Sequence, residues 1–342
     1  MTTFFGRRAQ VIVTSISNPP SNPVSFFAGG DAGPGGSGLS GLLASGAAAL
    51  APAQPFNMFS TATRFDGLHL RFKAEKSMLG TPNTLELVIY NLAGTTRKRL
   101  QEQGAFVKLL AGYQSDFPTL PVVFQGNART IDHIRRGPDW ETRIQCGDGE
   151  SAYRFGVANR SWGPGVTASV IAAYLAQQIT QGDVDPFSNN SRVDISYFLT
   201  RVNALNYPQT AFAFGFAIMG NAFEELQRLL GPKYTLSIQD GELRAFQASE
   251  GIVSSYVISA KTGLIGSPEH STPNLVGQPP LLKLNCLLNP RIKPGDIVNV
   301  LNAQFKGNFR VQHVIHSGDL GGNDWFSEIN GTPLSSGNLP AN

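Results

Sequence analysis

The sequence predicts a mainly β chain with α+β elements, in which two similar β-rich units flank a helical and hairpin middle region. Three observations carry this. Both outer parts are cut by Gly, Pro, Asn and Asp into short apolar or alternating runs. The middle part repeats apolar residues at helical spacing. One Gly-framed hairpin segment carrying a Trp occurs twice, once in each outer part.

The 342 residues suffice for two or three domains. Charged residues are 15% of the chain, below the roughly 25% of ordinary soluble domains, while 37 Gly and 22 Pro punctuate it. That balance suits many strands and turns, with much of the surface covered by neighbours. The expected division is a first strand-rich unit over 1–150, a middle α+β region over 151–255, a second strand-rich unit over 256–335 and a tail over 336–342.

Gln10 to Ser15 reads as the first strand, with Val11, Ile12 and Val13 as its apolar run, and Asn18-Pro19-Pro20 stops it. From about 18 to 58 Gly, Ala, Pro and Ser dominate and no period survives, so this stretch reads as an insertion. It has no core of its own to offset the entropy of ordering. Its apolar side chains Phe26, Phe27, Leu39, Leu42, Leu43 and Leu50 are therefore expected to dock on a partner.

Strands resume at Gly67 to Lys76, where Leu68, Leu70, Phe72 and Ala74 alternate with His69, Arg71, Lys73 and Glu75 in the period of a half-buried strand. Leu85 to Tyr90 is its expected partner. Asn91 to Gln103 reads as a short helix, with Asn91 as its cap and Gly104 past its end. Ala105 to Tyr113, Val122 to Arg136 and Trp140 to Cys146 complete the first unit as strands.

In the middle, Val166 to Gln178 and Ala222 to Leu230 are expected helices. Tyr234 to Gln247 is an expected hairpin around Asp240-Gly241, a dipeptide that accepts the positive φ angles of a two-residue turn. The last third returns to strands at Leu281 to Leu287, Ile297 to Leu301, Phe309 to His316 and Trp325 to Asn330.

A formal charge of +3 leaves no footprint of a dedicated nucleic-acid binder. The basic clusters Arg97-Lys98-Arg99 and Arg135-Arg136 read as a solvated helix face and a strand end. Cys146 and Cys286 stand far apart with no ligand-spaced neighbour, and are expected as buried thiols rather than a disulfide or a zinc site. The N-terminus lacks the order of a signal peptide and no stretch approaches ~20 apolar residues. Folding in the cytoplasm is the expectation.

The duplicated segment aligns Phe124 with Phe305, Gly126 with Gly307, Asn127 with Asn308, Arg129 with Arg310, Ile134 with Ile315 and Gly137 with Gly318. After an insertion, Trp140 falls on Trp325 and Ile144 on Ile329. One hairpin used twice implies two similar domains.

These segments resemble the hub proteins at the centre of phage tail baseplates. The likeness lies in Asn91-Leu92, Ala111-Gly112-Tyr113, Phe124-Gln125-Gly126 and Gly147-Asp148-Gly149, then in Thr262 to Glu269, Leu287 to Pro290, Pro294-Gly295-Asp296 and the closing hairpin from Gly318 to Ile329. It covers about 68 to 333; the Gly-rich insertion departs from it. The resemblance implies two tail-tube-type β-barrel domains and a homotrimer. That ring would adapt a six-fold tail tube to a three-fold central spike and leave a channel for DNA. The implied partners are the tail tube or distal tail protein, the central spike and the other baseplate (wedge) proteins, and the insertion is expected to dock on a neighbouring subunit or a baseplate protein. Tape-measure protein and DNA would pass without sequence-specific binding. The implied location is the virion tail, assembled in the host cytoplasm.

No catalytic residue, cofactor or metal is expected. Gly33 to Gly38 lacks the Lys-Ser/Thr of a phosphate loop, and Ser37 and Ser40 lack a nucleophile elbow. His313 and His316 stand three apart in a strand, on opposite faces. Two alternatives are a hub-associated peptidoglycan hydrolase, through a carboxyl pair such as Glu224 and Glu225, and a carbohydrate- or receptor-binding tail-tip protein using Tyr153, Trp162, Tyr197 and Tyr207. Against the first, an appended lytic domain is expected to have no room after the second repeat.

Overall fold

The computed structural model describes residues 6–14, 62–101, 105–116, 119–184, 191–204, 211–247, 252–271, 281–302 and 306–334. The insertion with Phe26, Phe27, Leu39, Leu42, Leu43 and Leu50 lies outside the described residues, as do Tyr207, Phe305 and the tail 336–342.

The first part comprises β1 (Arg7–Thr14), β2 (Ala62–Asp66), β3 (Leu70–Ser77), β4 (Thr84–Tyr90), α1 (Gly94–Leu100), β5 (Phe106–Tyr113), β6 (Val122–Arg136) and β7 (Asp139–Gly147). The middle holds α2 (Glu150–Phe155), β8 (Val157–Trp162), α3 (Ala168–Gly182), α4 (Ser196–Ala204), β9 (Phe216–Asn221), α5 (Ala222–Leu230), β10 (Tyr234–Gln239) and β11 (Glu242–Gln247). The last part comprises β12 (Ile252–Ser259), β13 (Leu264–Ser271), β14 (Leu281–Leu287), β15 (Asp296–Leu301), β16 (Lys306–Asp319) and β17 (Trp325–Pro333).

Both outer parts belong to one 13-stranded sheet. Its main path runs β13-β14-β17-β16-β3-β4-β7-β6-β5-β1-β2, and β15 followed by β12 branches from β16. It resolves into two strips of the same order, β3-β4-β7-β6-β5-β1 and β13-β14-β17-β16-β15-β12. They differ at one end: β1 runs antiparallel to β5, whereas β12 runs parallel to β15. The strips meet where β16 pairs β3.

Each region has its own apolar core. The first gathers the inward residues of β1, β3, β4, β5, β6 and β7, such as Val11, Leu70, Leu87, Leu109, Phe124 and Ile144. The last is built on Leu282, Leu284, Val298, Val300, Val311, Val314 and Ile329. In the middle, α3 buries Ala168, Ile171, Ala172, Leu175, Ala176 and Ile179, one stripe at helical spacing. Helix α5 begins at Asn221, whose side chain accepts from the amides of Phe223 and Glu224, and Gly231 at positive φ follows its end.

The predicted elements lie largely where the periodicity put them, and the hairpin around Asp240-Gly241 has both turn residues at positive φ. One expectation is corrected. Asn91 is no helix cap: it stands at φ 55, and α1 begins only at Gly94. Its side chain instead accepts from Trp140 N at 3.0 Å and donates to Asp139 at 2.8 Å. Strands β2, β8, β9 and β12 escaped the sequence reading because partners distant in sequence define them, and β13, beside the nearby β14, escaped it too. β13 even contains Gly266 and Pro268, set in the irregularity between Ile265 and Glu269.

Candidate functional site

β16 joins the strips because it is long enough to pair twice. Its first half lies along β15, Arg310 against Ile297. Its second half lies along β3, from His313 against Ser77 to Asp319 against Arg71. His313 Nε2 is 2.9 Å from Glu75, and His69 Nε2 is 2.8 Å from Asp319. Trp325, which opens β17, packs edge-on against Phe72 of β3 with ring centroids 5.7 Å apart, inside the core of the first strip.

Beneath this seam lies a buried cluster of charge drawn from all three regions. Asp240, at the tip of the β10-β11 hairpin, receives Nζ of Lys76 from β3 at 2.6 Å and Nζ of Lys293 from the loop before β15 at 2.8 Å. Asp148, just after β7, accepts from the amides of Asp240 at 2.5 Å and Gly241 at 3.0 Å. It thereby holds a turn whose backbone is left-handed at both residues. Asn83 donates to Ile238 O and Gln239 Oε1, each at 3.0 Å, and Gln239 donates to Ser77 O at 2.6 Å. His316 of β16 is fully buried beside the cluster and bonded to Ser327 Oγ at 2.8 Å.

Electrostatics follow from that burial. Burial opposes the Asp240 carboxylate, but Lys76 and Lys293 outweigh it and hold the group at about 2. Burial and the Asp240 charge push Asp148 up to about 7. Burial, then Lys76, pushes His316 down to about 3, so the ring is neutral. Burial also lowers Lys76. With its charges paired in this way, the cluster joins three regions at one point; charges buried singly would cost several kcal/mol each.

Sequence reasoning missed these residues, which lie far apart in the chain. One signal was present. Leu70, Phe72 and Ala74 mark the buried face of β3, and the same period of two places Lys76 on it.

The duplicated hairpins β6-β7 and β16-β17 both bear a register irregularity, between Ala128 and Thr130 in one and between Val311 and His313 in the other. Anchored there, Val311 takes the place of Ala128, and Ile144 and Ile329 correspond, as do Trp140 and Trp325. Gly126 and Asn127 then stand two positions away from Gly307 and Asn308, on the same faces of the strands, and Arg129 is the extra residue at the irregularity, whereas Arg310 lies in the regular ladder opposite Ile297.

Their surroundings differ. Phe124 is fully buried. Asn127 bonds Ser151 Oγ at 3.0 Å and Arg192 at 2.8 Å, whereas Asn308 faces Asn299 across the ladder. Arg129 pairs with Glu150, and Arg310 donates to Gln247 O at 2.9 Å. Gly137 turns the first hairpin at φ 61, while Gly318 lies opposite Trp325 and against Phe72. Trp325 is buried, but Trp140 is half-buried, covered by the Arg97 guanidinium 3.8 Å from its ring centroid.

Among the other proposed sites, Glu225 pairs with Arg228 and Glu224 is exposed beside a surface hollow with Gln227 and Tyr234. Tyr153 is packed on Phe223, its hydroxyl accepting from Ile238 N at 3.0 Å. Trp162 lies edge-on to Tyr174, and Tyr197 lies under Arg244. Cys146 and Cys286 are free and buried. Among the described residues, no group of three His, Cys, Asp or Glu side chains is placed to hold a metal ion, and no helix is long and apolar enough to cross a membrane.

No family model and no curated protein sequence matches the chain. Among solved structures it is similar to the 43 kDa tail protein of prophage MuSo2 from Shewanella oneidensis, with a TM-score of 0.52 at 10% identity, over 79% of this chain and 94% of that one. It is also similar to the tail protein from Neisseria meningitidis MC58, with a TM-score of 0.50 at 11% identity, over 80% of this chain and 97% of that one. At such identities the likeness is one of fold. It agrees with the fold that the sequence resemblance implies.

Proposed function

We propose that the chain is a structural hub protein of a phage or phage-like tail baseplate, three copies of which close a ring between a six-fold tail tube and a three-fold spike. The observation that supports this reading is the duplicated strip: one strand order used twice in one sheet. Two near-equivalent units in each of three chains present six to the tube and keep three-fold symmetry toward the spike. The fold shared with the Shewanella prophage tail protein supports a place in a tail. On this reading the partners are the tail tube or distal tail protein, the spike and the wedge proteins, and DNA and tape-measure protein pass through the centre without specific contacts. The work of the protein is mechanical, which suits side chains such as Tyr153 and Trp162 that are engaged in packing. Light scattering of the purified protein with its spike partner tests the reading. Three copies are expected, and a stable monomer or dimer in that complex would overturn it.

A further inference from the structure

The seam inside the chain also describes a seam between chains. The second half of β16 is paired on both edges, by β17 and by β3. Its counterpart, Thr130 to Arg136 of β6, is paired by β7 on one edge, and β5 reaches only as far as Asn127 on the other. Among the described residues that second edge carries no strand. The counterpart of β3 is β13, since Leu70 faces Ile89 as Leu264 faces Cys286, and Lys73 faces Glu86 as Glu269 faces Lys283. β13 ends the sheet, so among the described residues its outer edge carries no strand either. The duplication therefore leaves one strand without its β3 and one β3-like strand without its partner.

We propose that these two edges pair with each other between copies of this chain, β6 of one copy lying antiparallel to β13 of the next. This rests on the ring proposed above and names the surfaces that close it. Carried over from the β16-β3 register, the pairing sets Asp132 against Ser271, His133 against His270 and Ile134 against Glu269. Three further observations fit this occupant. Each edge exposes a large aliphatic side chain, Ile134 at 37% and Ile265 at 44%, where solitary edge strands normally avoid apolar groups. Arg136 on β6 is 61% exposed although its Nε lies 3.4 Å from Glu141, and Glu269 on β13 is exposed; the carried-over register places Arg136 and Glu269 diagonally across the new seam. The contact is also head-to-tail, and the β16-β3 seam within each chain already supplies the alternate junction, so three chains close with six seams and no open edge of this kind.

A chain carrying both Ile134→Cys and Glu269→Cys tests the pairing. Mild oxidation should link one copy to the next and give covalent dimers and trimers on a non-reducing gel, because cross-strand positions in an antiparallel pair lie within disulfide reach. The native thiols are buried and do not interfere. Ile134→Cys with Val257→Cys, on the exposed part of β12, should not link. Independently, Arg136→Glu should abolish the oligomer and Glu269→Arg in the same chain should restore it, with the thermal midpoint of each variant reporting that the chain is folded. A three-copy complex that neither links at these positions nor responds to Arg136→Glu would overturn this pairing and leave the hub reading standing. Absence of any three-copy complex would overturn both.

Discussion

Nζ of Lys76 lies 2.6 Å from Oδ1 of Asp240, with both side chains buried. Lys76 belongs to the first strip and Asp240 to the middle region, and the other oxygen of Asp240 holds Lys293 of the last part at 2.8 Å. One carboxylate thus fastens three regions. Any relative movement of the regions would strand a buried charge, which makes the seam rigid.

Asp240→Asn should therefore be costly although the shape is nearly unchanged. Asn accepts the φ of 52 found at this position, so the turn survives, but two buried ammonium groups lose their counter-charge. A loss of about 3–5 kcal/mol is expected in chemical unfolding. Lys76→Met should cost less, because Asp240 keeps Lys293. Equal losses would mean that the charges are not acting as a set.

Acid should weaken the seam through His316. Its ordinary value near 6.5 is lowered to about 3 in the folded chain, so the unfolded chain binds the proton first. Stability from this residue is fully present above about 6.5 and is lost as pH falls from there toward 3. Asp148, raised to about 7, has the opposite sign and favours the folded chain as pH falls from 7 toward 4. The stability advantage of wild type over His316→Gln should shrink steadily between pH 7 and 4. A difference that stays constant over that range would refute a buried neutral ring.

The paired glycines of the repeat should respond differently to Ala. A Cβ on Gly126 would overlap the carbonyl oxygen of Gly147 on the neighbouring strand, whereas at Gly307, among the described residues, it would meet only Phe309 at 3.5 Å. Gly126→Ala should lower stability by about 1–3 kcal/mol through forced backbone shifts, and Gly307→Ala should be nearly neutral. Thermal midpoints of the two variants provide the comparison.

Asn91 combines a strained backbone with two side-chain bonds to the β7 start. Asn91→Gly keeps the backbone freedom and loses the bonds; Asn91→Ala loses both. The expected order of stability is Asn, then Gly, then Ala, with about 1–2 kcal/mol in total. Ala equal to or better than Gly would show that the positive φ is not maintained.

Local periodicity by itself determined much of this protein. The alternation at Leu70, Phe72 and Ala74, the helical stripe of α5 and the Asp240-Gly241 turn are short-range consequences of side-chain chemistry, and each element stands where those patterns place it. The duplicated hairpin was legible through Trp140 and Trp325, whereas the glycines that align with them in sequence stand at different places in the two hairpins. Strands β8 and β12 were decided only by tertiary structure, since their backbone groups find partners distant in sequence. So were the different fates of the two tryptophans: Trp325 is buried against Phe72 of β3, the strand beside β16, while Trp140 is half-buried next to β6, whose outer edge there carries no strand among the described residues. The charge cluster lies between these limits. The period of two already turned Lys76 inward, but only the fold could bring Asp240 from the middle region and Lys293 from the last part to meet it, because a buried charge is tolerable only where the chain returns to neutralise it.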